Sequence, residues 1–510
     1  MPKRAHAIII GAGYGGLALA NLLARRGYAV SVYEKNATPG GRIAVTTRQG
    51  FTFDLGPSWY LMPEVFEQYY HLFGQSATER LALKRLTPAY KVFFEQQPPL
   101  TIAGDLASDS ATFEEIEPGA ANNLRRYVQK SSHIYSVATG SFLYSNFERP
   151  LRLILRHAWL LASTTLISLD RLVSRYFRDT RLKQILEYQA VFLGNSPYQL
   201  PGIYSLMSKL DFETGVFYPT KGMPSLAADL LTLTPKDAIT YHYDSPVKRI
   251  LHAKKKATGI ELESGEKIAA DIVISNADLH HTETKLLDRS VQTYPESYWK
   301  NRQPSPGGLV ISLGIKGALP ELSHHSLLFV DAWKENFDAI YTKKQLPETA
   351  SLYICNPSKS DPSLAPDGHE TLFILAPIPA GVSLTQEELE QAAERYIAQC
   401  ARMLAVPDLA ERIVVRHLFT PSDFSQQYNA WLSNAFGGES HLLHQSALLR
   451  TRNTSKKLHN LYYVGAGTLP GVGLPMCLIS AQQTFKKIEG IKKDGPLDPQ
   501  DIMPADDVAQ

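Results

Sequence analysis

The 510 residues hold 52 Lys+Arg against 50 Asp+Glu, and 44% of the chain is hydrophobic with 20% charged. That composition excludes wholesale disorder, collagen and coiled coil, and a net charge of +2 on so large a surface argues against a general nucleic-acid binder. Three widely spaced cysteines, Cys355, Cys400 and Cys477, without CxxC or a Cys/His cluster, argue against a disulfide scaffold or a metal site and fit a reducing cytoplasm.

At roughly 100–200 residues per domain the length predicts two to four structural units. Lys3 and Arg4 precede the apolar run Ala7 to Ile10, but the run is too short for a signal peptide and ends in glycines. It reads as a buried parallel strand. Directly after it, Gly11, Gly13 and Gly16 form GxGxxG: the first allows a tight turn, the second close approach of a pyrophosphate, the third close packing of helix on strand. The following helix N-terminus favours phosphate charge. Glu34 ends the next predicted strand, where a carboxylate binds ribose hydroxyls. Gly40, Gly41 and Arg42 then supply a second glycine pair and a charge-assisted donor, which suits a long dinucleotide such as FAD.

From about 64 to 210 the pattern is mainly helical. Within it, residues 151–178 carry Arg152 and Arg156 before an apolar stretch and Arg171, Arg175 and Arg178 after it. These spacings place each set on one face of a helix lying in a headgroup region, with Leu160, Leu161 and Ile167 toward the acyl chains. The longest uncharged stretch, Ala158 to Leu169, is well short of the roughly 18 residues a spanning helix needs, so any bilayer contact is expected to be peripheral. Residues 211–290 return to strands, with a turn at Ser264-Gly265, and Lys254, Lys255 and Lys256 form a solvated turn. The adjacent pairs His280–His281 and His324–His325 point to different faces and are expected at the surface without a shared metal. Strands and helices mix from 291 to about 433. LYYVGAG, a Pro/Gly turn and a helix then repeat the nucleotide-binding logic at 461–493, where Gly465 and Gly467 admit the ribityl-pyrophosphate arm. The turn at Gly471–Pro475 places a helix N-terminus beside the flavin. Lys35, Val247, Pro475 and Met476 complete the expected FAD contacts. The acidic, proline-bearing residues 494–510 read as a disordered tail.

Both ends together resemble the bacterial phytoene desaturases, the FAD-dependent carotenoid desaturases. SLYICNPSKSDPSLAPDG, LFILAPIP, DFSQQYNAWLSNAFGGE and QSALLRTRN are similar to family segments, as are GVFYPTKGMPSLAADL and DIVISNAD. The family's usual GTHPG reads GTLPG here, with Leu469 in place of histidine. The resemblance implies a two-domain α/β flavin-oxidase fold: a Rossmann-like FAD-binding domain (1–63, 211–290 and 434–493), a mixed-sheet substrate domain (64–125 and 291–433), and a helical, membrane-facing lid (126–210). It implies an oxidoreductase on the cytoplasmic face of a membrane that desaturates a phytoene-like polyene, with oxygen or a quinone taking the electrons. Removing hydride first leaves an allylic cation that the polyene delocalises, so only a weak base is needed. Glu148, Arg149 and Arg152 are nominated for that role by similarity to a charged family segment. A carotenoid isomerase or a flavin amine oxidase on the same plan, and a non-enzymatic prenyl-lipid escort protein, remain as alternatives.

Overall fold

The computed structural model describes residues 5–147, 150–446 and 449–504. Glu148 and Arg149 lie outside them, and of Arg152 only the backbone is described.

Two sheets organise the chain. The first is wholly parallel and runs Leu461–Tyr463, Ile272–Ser275, His6–Ile10, Ala29–Tyr33, Ile239–His242. Its central strand is covered on both faces, which is why HAIII reads as a nearly unbroken apolar run. The helix Tyr14–Arg26 follows and ends at Gly27, whose φ of +104° closes it in the left-handed region. A Cβ on Gly16 would lie 2.5 Å from the Gly11 carbonyl oxygen, so only glycine permits this helix to sit so close to the strand before it.

The second sheet has seven strands, in the order Ile413–Phe419, Gly307–Lys316, His369–Ile378, Leu352–Cys355, His325–Phe329, Tyr90–Phe94, Leu100–Ile102. It is antiparallel except where Tyr90–Phe94 pairs with His325–Phe329. The helix Gln386–Met403, opened by a Thr385/Glu388 capping box, buries Leu389, Ala393, Tyr396 and Ile397 in a core with strand residues Leu309, Ile311, Leu372 and Ile374. The three-stranded meander Val247–Ala253, Lys256–Leu262, Lys267–Ala269 turns at Lys254 and Lys255, both at positive φ.

Three expectations need correction. Residues 151–178 do not form one helix. They break into Pro150–Arg156, Ala158–Thr165 and Leu169–Val173, interrupted at His157 (φ −117°, ψ 20°) and again before Ser168, whose Oγ caps the third piece. The side chains turned outward are Leu151, Leu155, Trp159 and Leu166, each at least 74% exposed, while Leu160, Leu161 and Ile167 are half-buried.

The tail is ordered through its described part. Leu497 and Ile502 are buried, Leu497 N–H donates to Gln482 Oε1 (2.9 Å), and Gln68 Nε2 donates to the Leu497 carbonyl (2.8 Å). A capping box of Asp498 and Asp501 opens the short helix Pro499–Ile502. Two apolar anchors and a local cap outweigh the acidic composition that suggested disorder.

The His324–His325 pair is buried, at 6% and 0% exposure, rather than at the surface. His325 begins a strand in the middle of the seven-stranded sheet, a position fixed by long-range pairing and invisible to local pattern.

Candidate active site

A cavity of about 660 Å³ is lined from both sheets, and its walls fall into two kinds. Gly11, Gly13, Gly15, Gly40, Gly41 and Gly465 line one part, with Glu34, Lys35, Asn276 and Asp278 among them. The other part is apolar and aromatic, including Trp59, Phe142, Phe147, Phe192, Phe373 and Phe424.

In the glycine-lined part the backbone itself is the wall. The loops that hold it touch: Gly40 N–H donates to the Ala12 carbonyl (2.9 Å), and a Cβ on Gly41 would lie 3.1 Å from the Gly13 Cα. No side chain caps the helix Tyr14–Arg26 at Gly13, so the first turn keeps N–H groups for an anion, and its residues Tyr14 and Gly15 line the cavity. Glu34 is buried and fastens the loop: Oε2 accepts from Ala12 N–H (2.8 Å) and Oε1 from Asn36 N–H (2.9 Å), leaving lone pairs for ribose hydroxyls. Lys35 Nζ donates to the Gln426 carbonyl, and burial lowers its pKa. Arg42 Nε donates to the Ala435 carbonyl (3.0 Å) and its guanidinium stands 5.5 Å from the Tyr428 ring centroid, while its buried Nη2 has no protein partner. An orphaned guanidinium N–H on a cavity wall is what a ligand phosphate or carbonyl would satisfy.

Across the cavity the last long helix, Leu474–Glu489, starts at Gly473 (φ +124°), again without a side-chain cap, and puts Pro475 and Met476 on the wall. Val247 lines the same cavity. Gly16 and Gly467 do not. Gly16 faces the Gly11 carbonyl, and a Cβ on Gly467 would meet Leu279, so Gly467 lies behind the wall it was expected to form. The glycine cradles, the two uncapped helix starts and the unpaired Arg42 nitrogen together fit a dinucleotide of the size of FAD.

In the aromatic part, Trp59 makes ring contacts with Tyr90, Tyr188, Phe192, His325 and Tyr353, and its Nε1 is buried without a partner. Ser58 Oγ and Tyr353 OH are 2.7 Å apart. One imidazole on this wall was not anticipated. His441 is buried, its Nδ1 donates to the Leu193 carbonyl (2.9 Å), and its Nε2 faces the turn after Leu469, where a Cβ on Gly471 would lie 2.7 Å away. Because a carbonyl only accepts, the proton sits on Nδ1 and Nε2 carries the free lone pair. Burial, with the Arg450 charge adding, lowers its pKa to about 3, so the ring stays neutral. The sequence offered one signal: His441 lies in the short segment SHLLH between two segments that resemble the desaturases.

The model of the flavin containing amine oxidoreductase family matches residues 14–484. A carotenoid 3,4-desaturase of Haloarcula japonica is 37% identical over 483 residues, covering 94% of this chain and 97% of that protein. A zeta-carotene-forming phytoene desaturase of Myxococcus xanthus is 33% identical over 487 residues, covering 94% and 93%. Among solved structures, putrescine oxidase bound to putrescine superposes with a TM-score of 0.62 at 15% identity, covering 96% of this chain and all of that one, a likeness of fold.

Proposed function

The chain belongs to the flavin containing amine oxidoreductase family, and from that premise we propose that it desaturates a carotenoid precursor, removing hydrogen from two adjacent carbons to extend a conjugated polyene. It is an FAD-dependent oxidoreductase. The observation that carries the choice of substrate is the joining of glycine cradle and aromatic chamber in one cavity, with full-length relatives named for carotenoid desaturation.

When bound, FAD supplies the two-electron acceptor of the reaction. Gly11, Gly13, Gly41 and Gly465 let backbone approach its pyrophosphate arm, with the N-terminal turn at Tyr14 facing the negative charge. Glu34 would accept from ribose, Arg42 Nη2 would donate to the cofactor, and Lys35 and Val247 would flank the nucleoside. Pro475 and Met476 would bring the second helix start to the flavin, its dipole favouring negative charge. Trp59, Phe373 and Phe424 exclude water and would hold the polyene in place. His441 Nε2 receives the proton that leaves the substrate cation, its Nδ1–H held by the Leu193 carbonyl; it brings an imidazole to the turn where Leu469 has replaced one. Gly16 and Gly467 act one layer back, as packing positions.

A membrane surface is the second partner in this reading. Among the described residues no helix is long and apolar enough to cross a membrane. Leu151 and Leu155 on one short helix and Trp159 and Leu166 on and just after the next nevertheless stand out, and Phe142, Leu143 and Phe147, just before them in the chain, line the cavity. A lipid-soluble substrate would enter there from the cytoplasmic leaflet, with oxygen or a quinone taking the electrons afterwards.

Expression in cells that accumulate phytoene or lycopene, followed by pigment analysis, tests the reading. New absorption at longer wavelength is expected. A folded, yellow, FAD-loaded protein that leaves every carotene unchanged and oxidises an amine instead would overturn it.

A further inference from the structure

Deep in the seven-stranded sheet lies a cluster that the desaturation reaction does not use. His325 and Cys355 are paired residues of adjacent antiparallel strands, and His324 precedes His325 with the two rings 4.5 Å apart, edge on. A ring nitrogen of each histidine and the Cys355 Sγ all fall within 4.8 Å of one another. All three side chains are buried.

The hydrogen bonds around the cluster leave it incomplete. His324 Nδ1 meets Ser360 Oγ at 2.7 Å and His325 Nδ1 meets Tyr353 OH at 2.8 Å, but neither Nε2 has a partner. Buried imidazole nitrogens without partners are uncommon, and a ring anchored through one nitrogen with the other free is how ligating histidines are held. Tyr353 OH also meets Ser58 Oγ (2.7 Å), so the outer hydrogen bonds continue beyond the rings. Tyr218, whose ring lies 4.4 Å from His324, has an unpartnered hydroxyl, and Asp54, the last residue of the strand Phe51–Asp54, is buried with no ion pair among the described residues. A cation would satisfy the free imidazole lone pairs.

We propose that His324, His325 and Cys355 form a metal site for a borderline or soft d¹⁰ cation, Zn²⁺ or Cu⁺, that ties two central strands of the substrate sheet beneath Trp59. Two nitrogens and one sulfur suit these ions and disfavour Mg²⁺ or Ca²⁺, which require oxygen. As the metal–sulfur bond forms, the Cys355 thiol proton passes to solvent, and no change of oxidation state is involved. His325 stacks on Trp59 at 4.1 Å, so the ion would fix the floor of the aromatic chamber without touching substrate.

The test is metal content of the purified, FAD-loaded full chain after growth with added zinc or copper, by elemental analysis. About one ion per chain is expected in wild type and in Cys400→Ala, which removes a buried thiol elsewhere, and about a tenth of that or less in His324→Gln and Cys355→Ser. Tyr353→Phe, which removes no ligand but loses the hydroxyl that meets His325 Nδ1 and Ser58 Oγ, should bind about 10–100-fold more weakly. Should the ligand variants fail to fold, wild type stripped with a chelator and titrated with Co²⁺ gives a second readout. Tetrahedral thiolate-bound Co²⁺ absorbs at longer wavelength than oxidised flavin, and the bands should saturate at one equivalent. Wild type that carries no ion and takes up no Co²⁺, or variants that retain a full equivalent, would overturn the proposal.

Discussion

Around Gly11, Gly13 and Gly41 the cavity wall is backbone, held to glycine by positive φ at Gly11 (+93°) and Gly41 (+58°) and by a Cβ contact of 2.5 Å with Asn276 at Gly13. Around Trp59 the same cavity is walled by side chains in ring contact, and its apolar lining extends to Phe142 and Phe147, beside the exposed helices. The first surface can accept one ligand shape and places charges at set points. The second offers length, dryness and few polar groups, which suits a long hydrocarbon that must slide. The difference teaches that the cofactor is recognised by what is missing from the wall, and the substrate by what is present on it.

Breaking the first surface should have the largest effect. Gly16→Val drives side-chain atoms into the Gly11 carbonyl and is expected to cost about 3 kcal/mol, with FAD lost from whatever folds; thermal melting and flavin content check it. Next is the outer end of the second surface. Side chains such as Leu151, Leu155, Trp159 and Leu166 contribute about 1.5–3 kcal/mol each on full burial, so changing all four to Ser should weaken liposome binding by about 100-fold or more. Flavin content and turnover of detergent-dispersed carotene should stay near wild type, and equal liposome binding would remove the membrane contact from the reading.

His441→Gln sits between the two surfaces. Turnover should fall by roughly 100-fold with FAD content unchanged, the low end of what a general base contributes. The pH dependence follows from the lowered pKa. The imidazole is already in its basic form far below neutrality, so turnover from this group should be flat from pH 8 downward and fall only as pH approaches about 3. An acid limb near 6.5 that disappears in the variant would refute the neutral imidazole. The smallest effect is expected from trimming single charges at the cofactor: Arg42→Ala and Glu34→Ala should each raise the FAD dissociation constant about 10- to 150-fold, worth about 1.5–3 kcal/mol. Glu34→Ala should be the worse of the two, because its carboxylate also holds Ala12 and Asn36.

The backbone-walled surface was legible in the sequence because its rules are local. Glycine spacing, one acid and one arginine, all within 32 residues of Gly11, predict a turn, a helix start and a ribose contact without knowledge of the rest of the chain. The aromatic surface was not, because Trp59, Tyr353 and His441 meet only after strands distant in sequence have paired. The same blindness placed His324 and His325 at the surface. Adjacency suggested divergent rings, but a strand register set by Cys355 and Lys91-bearing neighbours buried both. Amphipathic spacing over 151–178 assumed one continuous helix, and two interruptions rotated the exposed face from Leu160 and Leu161 to Leu155 and Trp159. The tail misled through composition: Leu497 and Ile502 are two residues among many polar ones, yet they decide where it lies.

The parallel sheet that begins with His6–Ile10 is completed by Leu461–Tyr463, which pairs beside Ile272–Ser275 and leads into the helix Leu474–Glu489 on the cavity wall. A ribosome making roughly 5–20 residues per second therefore takes roughly 20–90 s between the first strand and the last. Through that interval the glycine loop is already outside the tunnel while its opposite wall does not yet exist. The nascent chain must wait, with its apolar strand faces open, and the cofactor can be captured only once the helix Leu474–Glu489 has emerged. Flavin present at that late moment, rather than early in translation, is then what would set the yield of active protein.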